Sequence, residues 1–441
     1  QVRDLLARLG QNSANSSLPP SANPLQAPKP VVKKPTGRRR GAQPGHPPHR
    51  RQRLPAERVT HTVPFLPTQC RACQAPLPAE PGPQDPEPSW HQVAELPAIR
   101  AEITEYQGHA RTCPGCGTLT HAPIPADLRA QVTGPRLTAA LSYLSGRHHL
   151  SKRGVEELAE ALFEVPLALG TVSALEHETS QALAAPHAEV VQAVQQAPAK
   201  NADETSWKLA GQLCWLWTAV TATAALFVIH ARRGGSGLTA LLGEAMTGIV
   251  TSDRWSAYGR LALAQRQIGW AHLRRDFQAM VDRGGAGQTI GADLLGLTGV
   301  LFELWRKVRD GTRSRAWFVR QAEAIREDVV LLLRQGRGCG CAKTAAVCRE
   351  VLAVEPALWT FTRVEGVEPT NNAAERALRP AVLWRKRSFG CASAEGCRFV
   401  ERMLTAVQTL RLQQRRVLDY LTEALTAHRA GLPAPKLLSA E

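Results

Sequence analysis

The sequence predicts a multidomain α/β protein built around one mixed sheet, and three observations carry that expectation. Between residues 199 and 285, short apolar runs rich in β-formers alternate with helical patterns in the order β-β-β-α-β-α-β-α. From about residue 284 to residue 366 the strand signals stop and leucines recur at helical spacing, which marks a helical insertion. Ahead of the sheet stand two Cys-x-x-Cys pairs and then three helical patterns separated by turns. A three-strand meander followed by crossover strands is the order of a ribonuclease-H-like sheet. The expected whole is a ribonuclease-H-like mixed sheet with a helical insertion, preceded by a zinc-binding β module and a helical, helix-turn-helix-like domain. A length of 441 residues suits about three modules, and 44% apolar residues suffice for a sizeable core.

Charge narrows the partners. Lys and Arg total 54 against 38 Asp and Glu, giving +16 and a pI near 9.9. Such an excess favours a polyanion, most simply nucleic acid, over a membrane surface. The longest uncharged run, residues 213–229, is shorter than a usual membrane span and holds three threonines, so no membrane helix is expected. Residues Gln1-Val2-Arg3-Asp4 carry no apolar signal segment. Ten cysteines without a secretory signal point to a reducing, cytoplasmic setting and to metal binding rather than disulfides.

Each segment has its own warrant. Leu5, Leu6 and Leu9 suggest the tail of an amphipathic helix. It opens a basic arm over residues 1–56 that is expected to be disordered, because residues 10–56 are rich in Pro, Ser and Asn and poor in large apolar groups. Arg38, Arg39 and Arg40 lie there, suited to DNA phosphates or simply to a solubilising linker. Residues 57–128 hold Cys70, Cys73, Cys113 and Cys116, four thiolates for one tetrahedral structural Zn²⁺, with strands expected at 90–96 and 101–109. Residues 129–198 carry the three helices, which suit a helix-turn-helix DNA reader or a plain structural bundle. The sheet occupies residues 199–285, the helical insertion 286–366, and the second part of the core with C-terminal helices 367–441.

Chemistry concentrates on three carboxylates. A short first strand is expected to end at Asp203-Glu204, and the fourth at Ser252-Asp253. In a ribonuclease-H-like sheet these two strands are neighbours, so the aspartates meet. After the insertion, Asn371-Asn372 is a natural helix start, and Asn372, Glu375, Arg376 and Arg379 share one helical face. That face is either solvated, with a Glu375–Arg379 pair, or functional. Three carboxylates in one place repel unless cations neutralise them, so Asp203, Asp253 and Glu375 call for two hard ions, Mg²⁺ or Mn²⁺.

The motifs together resemble the insertion sequence 66 family of DDE (Asp-Asp-Glu) transposases. They are Asn12-Ser13-x-Asn15-Ser16-Ser17 with Pro19-Pro20, the two Cys-x-x-Cys pairs, Asp203-Glu204-Thr205-x-Trp207, and Ser252-Asp253-Arg254-x-x-x-Tyr258. Trp270-Ala271-His272-Leu273-Arg274-Arg275, Asn371-Asn372-x-x-Glu375-Arg376-x-x-Arg379-Pro380 and Arg385-Lys386 complete the set. Thr370 stands where the family usually has an acid, and Trp255 where a tyrosine is common. The resemblance implies that Asp203, Asp253 and Glu375 are the catalytic metal ligands. It implies that the N-terminal regions recognise terminal inverted repeats, and that a homo-oligomer joins those ends to target DNA at the bacterial nucleoid, with element-encoded accessory proteins as further partners. Arg376, Arg379, Arg385 and Lys386 suit DNA phosphates. His272 and Arg275 suit the scissile phosphate or a flipped base, or else a helix-surface or core role. A ribonuclease-H-like nuclease without strand transfer and a catalytically inactive DNA-binding protein are the rival functions.

Cys113→Ser is expected to lower zinc content in metal analysis and to destabilise only the N-terminal half. Unchanged zinc would count against the four-thiolate site.

Overall fold

The computed structural model describes residues 51–438, so most of the basic arm, with Arg38, Arg39 and Arg40 and the expected residual helix, lies outside the described residues. The described residues fall into two compact units, one ending at Arg100 and the other beginning at Ala101. The first unit has little regular structure. Around Cys70 the chain turns tightly: Cys70 N–H donates to Ala75 O (2.8 Å) and Gln74 N–H to Cys70 O (2.9 Å). The strand expected at 90–96 does not form. Val93 and Leu96 are exposed there, so no buried face exists to fix a strand register.

In the second unit the strand expected at 101–109 is likewise absent, and Ile103 is exposed. Instead a small hairpin pairs β1 (Ala110–Thr112) with β2 (Leu119–His121). Its turn carries Cys113 and Cys116 and closes through Gly117, which needs φ +74°.

Four helices follow: α1 (Pro135–His148), α2 (Lys152–Phe163), α3 (Leu169–Ala182) and α4 (Ala184–Gln196). Pro135 starts α1 with a preset φ. Ser151 caps α2, its Oγ accepting from Gly154 N–H at 3.1 Å. Leu141, Val155, Ala159, Leu167, Val172 and Leu175 form a small core among the first three. The fourth helix has no counterpart among the expected elements; Val190 and Val194, one turn apart, bury it against the sheet.

The sheet comprises β3 (Ala199–Leu209), β4 (Gln212–Val220), β5 (Ala225–His230), β6 (Ile249–Ser252) and β7 (Arg266–Ile268). Its order is β5-β4-β3-β6-β7, antiparallel through the first three and parallel through the last three. Between β5 and β6 lies α5 (Gly235–Leu242), and α6 (Trp270–Arg283) follows β7. Two expectations need correction. The helix expected between the fourth and fifth strands is only a pair of short 3-10 turns, Ser256–Arg260 and Leu263–Gln265. The first strand does not end at Glu204 but runs on to Leu209, because Ala210 (φ +48°) and Gly211 (φ +81°) make the hairpin turn there. Asp203 is therefore mid-strand, although it stands just past the end of the β3–β6 ladder.

The insertion is helical as expected: α7 (Ala286–Arg309), α8 (Arg315–Arg337) and α9 (Ala342–Ala353). They share a core with α6 in which Trp270, Phe277, Trp305, Phe318, Trp359 and Phe361 are buried. The chain then returns through α10 (Asn372–Ser388), α11 (Ala394–Leu412) and α12 (Val417–Arg429), which bury Trp384, Leu404, Leu410 and Leu421 with Trp207, Trp217 and Phe227 of the sheet. No helix among the described residues is long and apolar enough to cross a membrane.

The outer edge of the sheet is covered by side chains of α11. Glu401, Thr405 and Thr409 recur every four residues and accept from the free N–H groups of Ile229, Phe227 (3.1 Å) and Ala225 (3.1 Å) on β5. Thr405→Val keeps the shape and removes the acceptor. It leaves the buried Phe227 N–H unpaired and is expected to cost about 1–3 kcal/mol, read as a lower denaturation midpoint. An unshifted midpoint would show that this edge bond contributes nothing.

Candidate active site

The parallel ladder between β3 and β6 pairs Ala199 with Ile249, Lys200 with Val250 and Asn201 with Thr251. Asp203 and Asp253 each lie two residues beyond the last pair, at one level of neighbouring strands. Strands lie about 4.8 Å apart and side chains alternate with period two, so this register directs the two carboxylates to the same place. On the other flank of β3, Asp203 stands opposite the neutral Thr218.

Alternation also separates Asp203 from Glu204. The odd positions of β3 face α10: Arg385 Nη1 donates to Thr205 Oγ1 (3.0 Å), and Trp207 meets Trp384 edge-on. Glu204 points the other way and has partners of its own, although burial and then the Asp253 charge still hold its carboxyl above the usual range. It pairs with Arg233 at 2.9 Å, and Tyr258 O–H donates to its Oε2 at 2.8 Å. Arg233 in turn lies between the rings of Trp255 (4.0 Å) and Trp215 (4.7 Å). Among the described residues Asp203 receives only the N–H of Glu204, at 2.9 Å. Burial pushes its carboxyl up to about 8, and the Glu204, Asp253 and Glu375 carboxylates push in the same direction. Asp253 folds back on its own chain, its Oδ1 accepting from Trp255 N–H at 2.9 Å.

Glu375 sits in the first turn of α10 and does not pair with Arg379. Its Oε1 lies 3.4 Å from His272 Nε2 and 3.9 Å from Arg275 Nη2, both on α6. His272 Nε2 also faces Asn371 Oδ1 at 3.1 Å, while Arg275 donates to His272 Nδ1. With acceptors on one side and a guanidinium on the other, the ring is neutral and carries its proton on Nε2. Burial, and then the Arg275 charge, hold its pKa below the usual imidazole value, which agrees.

The expected site residues thus divide by location. Asp203, Asp253, Glu375, His272 and Arg275 converge within electrostatic reach of one another. Arg385 is part-buried and tied to β3, whereas Arg376, Arg379 and Lys386 stand exposed along α10. Cys70 and Cys73 belong to the first compact unit, Cys113 and Cys116 to the second. Among the described residues, no group of three or more His, Cys, Asp or Glu side chains is drawn closely enough to hold a metal ion. Sequence reasoning missed Arg233. Its only signal was an Arg-Arg pair directly after an apolar strand, and its partner Glu204 was hidden beside Asp203.

Residues 130–398 match the family model described as Transposase IS66 family. A model for a family of unknown function matches residues 1–52, almost wholly outside the described residues. An uncharacterized protein of Sinorhizobium fredii, y4qI, is 31% identical over 208 residues, covering 43% of this chain. The chain spans 38% of that relative's length.

The raised Asp203 carboxyl has a consequence for stability. Its value in the fold lies above the ordinary carboxylate range, so the stability it contributes is present at low pH and is lost as pH rises through about 8. Asp203→Asn is uncharged throughout. In chelator-treated buffer its thermal midpoint is expected to rise above wild type between about pH 5 and pH 8, and the gap to level off beyond. A pH-independent gap would show that the carboxyl is not strained.

Proposed function

The chain belongs to the transposase IS66 family, and from that premise we propose that it binds the terminal inverted repeats of an insertion sequence, cuts the DNA there and joins the freed 3′ ends to target DNA. The observation that carries the proposal is the common level of Asp203 and Asp253 on adjacent parallel strands, with Glu375 facing them from α10. We read the sheet as ribonuclease-H-like on its order, an antiparallel meander continued by two parallel strands.

The three carboxylates suit divalent ions. Their donors are all hard oxygens, and Asp203 is a part-buried carboxyl among other carboxylates, with no ion-pair partner among the described residues. Bound by Asp203, Asp253 and Glu375, two Mg²⁺ or Mn²⁺ ions would make the attacking oxygen more nucleophilic and take up charge on the departing 3′-oxygen. The protein's own groups do the positioning. His272 N–H and Arg275 hold the Glu375 carboxylate, and Asn371 Oδ1 holds the His272 tautomer. Arg385 fixes the strand beside Asp203, while Arg376, Arg379 and Lys386 are free to take DNA phosphates. In the first reaction the oxygen of water bonds to phosphorus as the bond to the 3′-oxygen breaks, leaving a 3′-OH and a 5′-phosphate. In the second, that 3′-OH attacks a target phosphodiester and displaces its 3′-oxygen, so one P–O bond forms for each that breaks.

The wider reading includes a structural Zn²⁺ on Cys70, Cys73, Cys113 and Cys116, DNA recognition by the N-terminal half, and a homo-oligomer that pairs two ends in the cytoplasm. A strand-transfer assay with pre-cut element ends and Mn²⁺ tests the proposal. Wild type is expected to give joined product and Asp253→Asn at least about a hundredfold less, the scale of losing a preorganised charge at a reacting phosphate. Cutting without joining would mark a nuclease, and equal product from both proteins would sink the catalytic assignment.

A further inference from the structure

The exposed face of α10 continues past the carboxylate. Arg376, Arg379, Leu383, Lys386 and Arg387 recur at spacings of three and four residues, or side by side at the end, and all are exposed. None of the four cations has an ion-pair partner among the described residues, and no acidic residue interrupts the stretch from Arg376 to Gly390. A cationic stripe therefore starts beside Glu375 and runs the length of the helix.

It ends on Phe389. This ring is 75% exposed, the second most exposed aromatic side chain among the described residues after Phe65. Its backbone sits at φ +60°, a left-handed conformation that a bulky residue seldom takes. Both features cost stability, and a ring three-quarters exposed gains little burial to offset them.

The turn that presents the ring is held on both sides. Phe389 N–H donates to Arg385 O (2.9 Å), closing the helix. Gly390, at φ +117°, lies so close to β3 that a Cβ there would fall 2.2 Å from Lys208 O. Cys391 then bridges to the strand: its N–H donates to Lys208 O (2.8 Å), and Ala210 N–H donates to its carbonyl (2.8 Å). The ring is thus fixed in solvent at the end of a row of cations, with the exposed Lys208 close to the same turn.

We propose that Phe389 stacks on a nucleobase of bound DNA and marks where base stacking is interrupted along the α10 track. The cations neutralise backbone phosphates, and the ring meets a base face that an unpaired or unstacked nucleotide exposes. Fourteen residues separate Glu375 from Phe389, about 21 Å at the helical rise. At about 3.4 Å per nucleotide the contact falls about six nucleotides from the carboxylate site. The assignment rests on the transposase reading and adds to it a place where bases, rather than phosphates, are touched.

The test measures binding of the full chain to fluorescein-labelled (dT)20 and to a 20-base-pair duplex by anisotropy. Phe389→Ala is expected to weaken (dT)20 binding about tenfold, within the range for losing one stacked base, and duplex binding far less. Phe389→Tyr should retain both affinities. Phe389→Gly should lose (dT)20 affinity while raising the thermal midpoint, because glycine accepts the positive φ. Photo-crosslinking with 5-iodouracil in the (dT)20 probe should attach DNA to Phe389. If wild type binds both DNAs and Phe389→Ala binds (dT)20 equally well, the stacking role is overturned while the transposase reading stands. If wild type binds neither DNA, that reading falls and takes the stacking role with it.

Discussion

The site depends on the parallel pairing of β3 with β6. A parallel ladder places residues of equal offset at one level, so two aspartates each two residues past the pair Asn201–Thr251 must approach each other. A slip of one residue would send Asp253 to the opposite face. The register has a local anchor in Gly248. Its φ is +73°, and a Cβ there would lie 2.4 Å from Ala197 O and 2.8 Å from Pro198 O. Only a residue without a side chain lets β6 enter that close, where Ile249 N–H takes Pro198 O at 2.8 Å.

Adjacent acids on β3 find different partners because side chains alternate across a strand, though burial pushes both carboxyls up. Glu204 faces inward, where Arg233 and Tyr258 supply an ion pair and a hydrogen bond, and two indole rings hold the arginine in place. Asp203 faces α10, and the charges that act on its carboxyl are those of Glu204, Asp253 and Glu375. The fold thus gives one acid a cation of its own and leaves the other without an ion-pair partner among the described residues. That imbalance is the physical reason to regard Asp203, rather than Glu204, as the residue that takes an external cation.

A single helix links this charge imbalance to the surface. In its first turn α10 carries Glu375, held by His272 and Arg275 of α6. Its buried side packs Ala374, Leu378, Ala381 and Trp384 into the core, and Arg385 binds the strand that bears Asp203. Its outer side holds cations that have no ion-pair partner among the described residues, and it ends on Phe389. Pro380 inside the helix removes one backbone donor, yet the helix continues to Ser388 because its inner face is anchored on both sides of the proline.

Local signals in the sequence determined the mixed α/β class, the strand order from the meander to the crossovers, the helical insertion, and the carboxylates worth testing as a set. These depend on periodicity and on short motifs, which act within a few residues of themselves. Other features needed the tertiary structure. The length of β3 depended on a hairpin turn at Ala210-Gly211, whose non-glycine positive φ carries no strong sequence mark. The strands expected at 90–96 and 101–109 failed because their apolar residues have nothing to bury against. Arg385 left the exposed set only once α10 was laid on β3, and Arg233 joined Glu204 only once β5 and the strand two places away shared a sheet. Which charge pairs with which is set by contacts between residues tens to hundreds of positions apart. The sequence names the charges, and only the packing of strand, helix and insertion decides which are compensated and which remain available.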